Sequence, residues 1–533
     1  MPAIAETLLC QLITERSRTK PDFQVLVFIT PEGHTSYVEE TRSYAQLQQN
    51  AQSLAHALQA LGVGAGQQVG VMMNNHPEFV ETMLAAGQLA AVFVPVDPRT
   101  MGEKLTYMLD FTECTGVVCA DYCVDAVLAV AARCPGLRWL VVVPTGLNPT
   151  QNRESLLTIL NYHDAVATAK VPQAVLAPAL DAPMFMMFTS GTTGNPKAVV
   201  QTHRDYMSKA TSYSRFGLSA EDGLYTGLSL THINAQNTLR NALALGVRGV
   251  FSRRFTKSHL WDIVRRYRCT AFNLLGGMIP EIYGVPEKPD DADNPVRFVF
   301  TSGMPAVIWK DFERRFGVTV FEGYGATEGG GLSNPPGVGP LGSIGKPSPD
   351  WEAAILDPDG QPVGPHLEGE ICFKRKDDAP VTVNYFKNPE ASLEKVRGGW
   401  LHMGDLGHVD EDGWFYFHYR VGGGVRRNGD FVNTALVESV VSQSPMVADV
   451  FVYGVATARN VSGEKTLVAA VVPEIPTMFD TEALLTWCRT KLEKNDVPEI
   501  IQVLDQIPKT ISEKPIEKAC IERLDLVAFS SES

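Results

Sequence analysis

Between residues 26 and 133 the chain alternates short apolar runs with stretches of helical period, and no other feature restricts the fold as tightly. Residues 26–30 are apolar and end at the turn residues Pro31, Glu32 and Gly33, as a strand would. Ser43 then opens a helix in which Leu47, Ala51, Leu54, Leu58 and Leu61 share one face, and Gly62 stops it. The pattern recurs as a strand at 68–73, a helix at 77–90, a strand at 91–96, a helix at 102–111, a strand at 116–120 and a helix ending near Arg133. Strands joined through helices in this way run parallel, and the helices cover the sheet.

A polar stretch interrupts the alternation between the apolar runs 184–188 and 198–200. It holds Thr189, Ser190, Gly191, Thr192, Thr193, Gly194, Asn195, Pro196 and Lys197. Glycines let backbone N–H groups curl around an oxyanion, hydroxyls donate to its oxygens and a lysine adds a point charge, so the stretch reads as a phosphate-gripping turn between two strands. It is not a Walker A loop, because the two glycines stand too close and Lys197 is followed by Ala198 rather than by a hydroxyl residue. A plain polar hairpin explains Gly, Asn and Pro but not the hydroxyls and the lysine.

At 533 residues the chain exceeds what one core can serve, so several subdomains are expected. A net charge of −14 argues against nucleic acid or an anionic membrane as the main partner, and an anionic ligand then needs a local basic cluster. The nine cysteines lack the paired spacing of zinc sites and suit a reducing compartment as buried thiols. No apolar run approaches the ~18 residues of a spanning helix, and the cytoplasm is the expected location.

The stretch TSGTTGNPK resembles the phosphate-binding loop of the adenylate-forming superfamily, which comprises acyl- and aryl-CoA synthetases, adenylation domains of peptide synthetases, and luciferases. The resemblance covers most of the chain, from about Tyr44 to Glu522, because further motifs follow in that family's order. It implies that Thr189, Ser190, Gly191, Thr192, Thr193, Gly194 and Lys197 hold the phosphates of ATP, with Thr192 beside Mg²⁺. Thr231-His232-Ile233-Asn234 is similar to the segment whose histidine or aromatic sits between the acyl and phosphate sites, which implicates His232. Residues 272–278 read as a strand entering the loop that lines the acyl pocket, with Gly276, Gly277 and Met278. Gly303, Met304 and Pro305 match the outline of a turn that contacts adenine, and Gly303 also borders the acyl side. The motif Glu322, Gly323, Tyr324, Gly325, Ala326, Thr327, Glu328 is the second diagnostic one. There an aromatic can stack on a purine, a threonine can donate to the α-phosphate and a carboxylate can hold Mg²⁺, which by resemblance are Tyr324, Thr327 and Glu328. Gly329 and Gly330, with Gly331, are expected to leave volume for a bulky acid.

Alternating apolar residues and turns from 342 to 373 suggest an antiparallel β subdomain. Asp405, in Trp400-Leu-His-Met-Gly-Asp-Leu-Gly407, is a natural acceptor for both ribose hydroxyls, since a carboxylate takes two donors at once. Arg420 stands where the family has an arginine that assists it. Residues 1–421 are thus expected to form an adenylation domain, and 422–533 a small mobile α+β domain turning at Gly422. The triple glycine there eases rotation but lacks the usual Asp or Lys side chain. Arg426, Asn428, Gly429 and Asp430 match the turn that approaches the pantetheine arm of coenzyme A. Arg253 and Arg254 begin a basic stretch that continues with Lys257, Arg265, Arg266 and Arg268, either a grip for the phosphates of coenzyme A or the solvated face of a helix over 258–268. Residues 508–514 resemble PKTxxGK, whose last lysine, here Lys514, bridges the substrate carboxylate and the α-phosphate. Glu513 replaces the usual glycine, and Asp496 stands where a lysine is common.

Attack of a carboxylate on ATP brings two anions together, and hydroxyls, N–H groups, Mg²⁺ and one lysine meet that need without a protein nucleophile. The expected class is an α/β enzyme, a large layered N-terminal domain with a β subdomain and a small C-terminal domain, that joins a carboxylic acid to coenzyme A through an acyl adenylate. Loading of a separate carrier protein is the nearest alternative. A degenerate nucleotide-binding regulatory protein is the alternative from another class, suggested by Gly422, Asp496 and Glu513. A bulky aromatic, alicyclic or branched acid is expected, no nucleic acid, and a homodimer is left open.

Overall fold

The computed structural model describes residues 4–33, 36–148, 155–168, 178–189, 196–276, 278–334, 337–420, 425–427, 430–432, 434–455, 465–492, 494–510 and 513–524. They form two compact units, one of Met1–Asn273, Asn294–Arg297 and Thr382–Glu394, the other of Leu274–Asp293, Phe298–Val381 and Lys395–Ser533.

In the first unit the alternation yields a seven-stranded sheet in the order Thr158–Asn161, Trp139–Val143, Cys114–Ala120, Gln68–Met72, Val92–Val96, Pro183–Phe188, Ala198–Thr202. All neighbours pair parallel except the last two, which pair antiparallel. The helices Pro77–Gln88, Gly102–Phe111 and Val124–Ala131 are its crossovers. Every residue of Val92–Val96, Cys114–Ala120 and Trp139–Val143 is buried, as a sheet covered on both faces requires. Ser43 caps the helix Tyr44–Ala60 as its sequence implies: its hydroxyl accepts from the Gln46 N–H at 3.2 Å, and the Gln46 side chain accepts from the Ser43 N–H at 2.8 Å.

The strand expected at 26–30 forms, as Gln24–Glu32, but in another sheet. It pairs parallel with Arg248–Ser252 and antiparallel with Ser36–Ser43 rather than with Gln68–Met72. Arg248–Ser252 in turn flanks Gly223–Thr226, which pairs with Ala271–Leu275.

In the second unit Phe298–Ser302 pairs parallel with Thr319–Ala326, which turns back antiparallel along Gly329–Ser333. The expected antiparallel subdomain is present as Trp351–Leu356, Gly369–Arg375, Trp400–Val409 and Phe415–Arg420. Toward the C-terminus Val447–Val455, Thr466–Pro473 and Ile500–Val503 form a three-stranded sheet. The helices Thr434–Ser442 and Thr481–Lys491 accompany it, and Val437, Val441, Val452, Leu467 and Leu484 close an apolar cluster of their own. This is the α+β arrangement its sequence suggests. Residues 421–424, where a hinge at Gly422 is expected, lie outside the described residues.

Candidate active site

Asp405 lies on the strand Trp400–Val409 opposite Arg420 on Phe415–Arg420, so the sheet register itself brings the two together. Arg420 donates to both carboxylate oxygens, Nε to Oδ1 at 2.6 Å and Nη2 to Oδ2 at 3.0 Å. The Tyr324 hydroxyl donates to Oδ2 at 2.5 Å. With Asp405 1% exposed, burial and this neighbouring charge push the Tyr324 phenol well above its usual range, and it stays a donor. The Tyr324 ring is 6.4 Å from Phe373, nearly parallel to it at 20°, and 6.5 Å from Phe417, an aromatic group suited to a planar base. Behind Asp405, the Glu370 carboxylate accepts from the Gly404 N–H at 2.8 Å, and Gly404 has a φ of 74°, a conformation that favours glycine just before the acid.

Lys514 occupies a closed loop in the same unit. The Thr510 N–H donates to the Lys514 carbonyl at 2.7 Å, the Lys514 N–H to the Thr510 hydroxyl at 3.2 Å, and the Ile516 N–H to the Pro508 carbonyl at 2.8 Å. The Lys514 side chain emerges at the surface, yet the surrounding fold and then the Arg420 guanidinium lower its pKa below the ordinary 10.5, while Asp405 opposes them. Its ammonium is therefore within electrostatic reach of the Asp405–Arg420 pair. Glu513 holds a φ of 56° at the place where glycine is usual.

Sequence reasoning missed a second lysine. Lys395 donates to the Met403 carbonyl at 3.2 Å, and its pKa is lowered by burial and by Arg420 against the pull of Glu328 and Asp405. A lone lysine outside any motif carries no sequence signal, and only the fold brings it to Glu328. Thr327 and Glu328 themselves are half-buried in the turn between two strands.

Glu322 and the glycines of the second motif are built into the packing of the fold. Glu322 is 3% exposed and serves the neighbouring turn: its carboxylate accepts from the Thr301 hydroxyl at 2.6 Å, from the Met304 N–H at 3.0 Å and from the Gly303 N–H. Its carboxylate thus anchors the turn of Gly303, Met304 and Pro305, and Met304 is itself buried. Gly329 and Gly330 leave no space where a side chain would point. A β-carbon on Gly330 would stand 2.6 Å from the Phe373 ring, and one on Gly329 3.3 Å from Trp351. Both have positive φ, 70° and 138°, so these glycines answer to a tight hairpin packed on aromatic rings. Gly276 and Gly303 are likewise pressed together, a β-carbon on Gly276 falling 3.1 Å from the Gly303 carbonyl oxygen. Met278 is 1% exposed, and Gly277 lies outside the described residues.

In the first unit the two strands flanking the polar stretch pair with Phe188 opposite Ala198, and the Thr189 N–H donates to the Lys197 carbonyl at 2.9 Å, closing a loop. Ser190, Gly191, Thr192, Thr193 and Gly194 lie outside the described residues. The exposed Lys197 ammonium is 5.1 Å from the centroid of the Tyr385 ring. His232 occupies the position before the first turn of the helix Ile233–Leu245 and is half-buried. The Arg253 guanidinium donates to the Asn75 carbonyl at 2.5 Å, to the Thr30 hydroxyl at 3.1 Å and to Glu40, which ties it into the unit. Arg254 is exposed. Arg426 and Asp430 are placed on the paired strands Val425–Arg427 and Asp430–Val432, and Asn428 and Gly429 lie outside the described residues. All nine cysteines are buried free thiols.

The arrangement is the mixed α/β fold of adenylate-forming enzymes, with a large N-terminal and a smaller C-terminal domain. It superposes on an anthranilate CoA ligase in complex with anthranoyl-AMP, at a TM-score of 0.83 and 20% identity over 98% of each chain. It also superposes on a benzoate CoA ligase from Burkholderia xenovorans LB400, at a TM-score of 0.80 and 22% identity over 97% of this chain and 99% of that one. Residues 13–379 match the model of the AMP-binding enzyme family and 436–514 that of the AMP-binding enzyme C-terminal domain, and the chain belongs to this family. Among its sequence relatives is the crotonobetaine/carnitine–CoA ligase of Salmonella agona (strain SL483), 28% identical over 506 residues, which span 93% of this chain and 95% of the relative. Among the described residues no helix is long and apolar enough to cross a membrane.

Proposed function

We propose that the protein is an AMP-forming carboxylic acid–CoA ligase: acid and ATP give acyl adenylate and pyrophosphate, and coenzyme A then displaces AMP to give the acyl thioester. The observation that supports this reading is the buried Asp405 carboxylate held by Arg420 at both oxygens and by the Tyr324 hydroxyl, with Lys514 in the same unit read as the cation that meets the α-phosphate. Tyr324 offers its ring to the base, Thr327 a hydroxyl to the α-phosphate, and Lys197 with the loop around it grips the outer phosphates. Lys514 draws the acid and the α-phosphate together and offsets the charge that grows as they react. Mg²⁺, when bound, neutralises phosphate charge, and Glu328 is a hard oxygen donor of the kind it selects, half-buried beside the turn. His232, at the head of a helix, is read as a residue that serves the acyl and phosphate groups.

For the second step Arg254, Arg426, Asn428, Gly429 and Asp430 are read as contacts of coenzyme A. Residues 422–533 are read as a domain that turns at Gly422, so that Lys514 leaves and the 428–430 turn arrives. The acid is read as aromatic, alicyclic or branched. The glycines no longer argue for it, and its support is now the company of ligases for anthranilate, benzoate and carnitine. Buried thiols and an acidic chain suit work in the cytoplasm. A screen of such acids for ATP-dependent pyrophosphate release, each with coenzyme A, with a pantetheinylated carrier protein and with neither, tests the whole reading. Thioester formation with coenzyme A is the expected result, and pyrophosphate release with no acid at all would overturn it.

A further inference from the structure

Lys509 is held by a pair of acids from two directions. Its ammonium lies 2.9 Å from Glu281 Oε1 and 2.7 Å from Asp449 Oδ2, and its side chain is only 14% exposed. Glu281 belongs to the short helix Met278–Tyr283, in the part of the chain read as the adenylation domain. Asp449 belongs to the strand Val447–Val455, in the part read as mobile. The buried Glu438 carboxyl, which accepts from the Val452 N–H at 2.8 Å, also feels both Asp449 and Lys509. An exposed ion pair would contribute little, but an ammonium withdrawn from water cannot lose an acid without cost.

The loop between Lys509 and Lys514 is short and closed. Its ends are tied by the bonds of Thr510, Lys514 and Ile516 and by a bridge between Lys509 and Pro515, so the two lysines travel as one piece. The two ion pairs are therefore not equivalent. Asp449 belongs to the same part of the chain as Lys509, whereas Glu281 belongs to the other, so a turn of the small domain would leave the Lys509–Asp449 pair intact and part the Lys509–Glu281 pair.

We propose that Lys509 is a positioning residue for Lys514: its ion pair with Glu281 seats the lysine loop for adenylate formation, and that pair must part before thioester formation. The proposal rests on the ligase reading and deepens it. In the full-length protein, Glu281→Gln removes the charge while keeping shape, and two readouts follow it. Hydrogen exchange needs no catalysis, and the bonded amides of Thr510, Lys514 and Ile516 are expected to exchange faster in Glu281→Gln while those of the sheet 447–473 do not. In single-turnover assays, pyrophosphate release from acid and ATP is expected to slow by about a hundredfold, the scale of a small misplacement of a reacting group, with thioester formation from supplied acyl adenylate unchanged. Lys509→Arg, which keeps the charge, is expected to retain most of the adenylation rate. Asp449→Asn is expected to leave the ratio of the two half-reactions as in the parent. Unchanged loop exchange in Glu281→Gln, or equal slowing of both half-reactions, overturns the proposal. The parent protein run alongside separates the two failures: if its pyrophosphate release does not depend on an added acid the ligase reading falls, while the exchange result still decides the role of Lys509.

Discussion

Arg420 holds Asp405 at both carboxylate oxygens, and Tyr324 adds a third donor on Oδ2 at 2.5 Å. Oδ1 takes a single donor of this set, which leaves it the better placed for a ribose hydroxyl. Asp405→Asn keeps the size but loses charge-assisted acceptance, worth roughly 1.5–3 kcal/mol. The ATP KM, measured by pyrophosphate release, is expected to rise about ten- to a hundredfold. A KM equal to that of the parent takes Asp405 out of the nucleotide site.

Lys514 must be protonated to neutralise the phosphate, so adenylate formation is expected to fail on the alkaline side. Because burial and Arg420 depress its pKa, that failure should set in below the ordinary lysine value of 10.5. Asp405 works in the opposite sense, so Asp405→Asn is expected to move the alkaline limb to lower pH still, and Arg420→Gln to higher pH. The pH profile of the first half-reaction in the three proteins checks the signs. Shifts in the reverse directions would mean that the limb belongs to another group.

Glu513 at a φ of 56° carries the strain of a left-handed residue with a β-carbon, about 1–2 kcal/mol. Glycine relieves it but adds freedom to the unfolded chain, about 0.5–1 kcal/mol. Glu513→Gly is therefore expected to stabilise by roughly half to one kcal/mol, the difference of those two figures. Glu513→Ala, which keeps the β-carbon, is not. Urea unfolding of the three proteins decides it, and a gain in the alanine variant alone would assign the effect to the charge.

Much of the architecture was readable because it is written locally. The helix Tyr44–Ala60 announces itself through Ser43 and Gln46, and five strands of the seven-stranded sheet through their apolar runs, whereas Trp139–Val143 and the half-exposed Thr158–Asn161 were not read. The strand Gln24–Glu32 was readable as an element but not in its pairing, since its neighbour Arg248–Ser252 is distant in sequence and periodicity carries no address. Its other neighbour, Ser36–Ser43, is polar and half-exposed, with none of the apolar alternation that marks a buried strand. At the candidate site Asp405 and Arg420 were legible from motif order. The packing of the Glu322 carboxylate and of the glycines was not legible, because a motif names a residue but not the direction its side chain faces.

Gly330 illustrates that last point. Any side chain there must enter the Phe373 ring and accept a φ of 70°, so Gly330→Ala is expected to cost about 2 kcal/mol or more in fold stability. Activity should then fall by a similar factor for small and large acids. Selective loss of the large acids, with an unchanged melting temperature, would restore Gly330 to the acid pocket.

Burial, with Asp449 beside it, raises the Glu438 pKa to about 7. A carboxyl that titrates higher in the fold than in the unfolded chain keeps its proton longer when folded. Stability should thus decline as pH rises from the ordinary carboxyl value of 4.5 toward about 7, and level off above. Glu438→Gln is expected to flatten this decline in urea midpoints taken across that window. A slope equal to that of the parent would place its origin elsewhere.

The contact of Gly276 with Gly303 bears on how such an enzyme can be re-engineered. A loop read as facing the acid and a turn read as facing adenine share a single wall, one backbone thick, with no side chain between them to absorb a change. Selection for a new acid acting through this wall would be felt as a change in ATP affinity. Library design for altered substrate choice would therefore do better to spare both glycines and to vary residues whose side chains, not backbones, face the ligand.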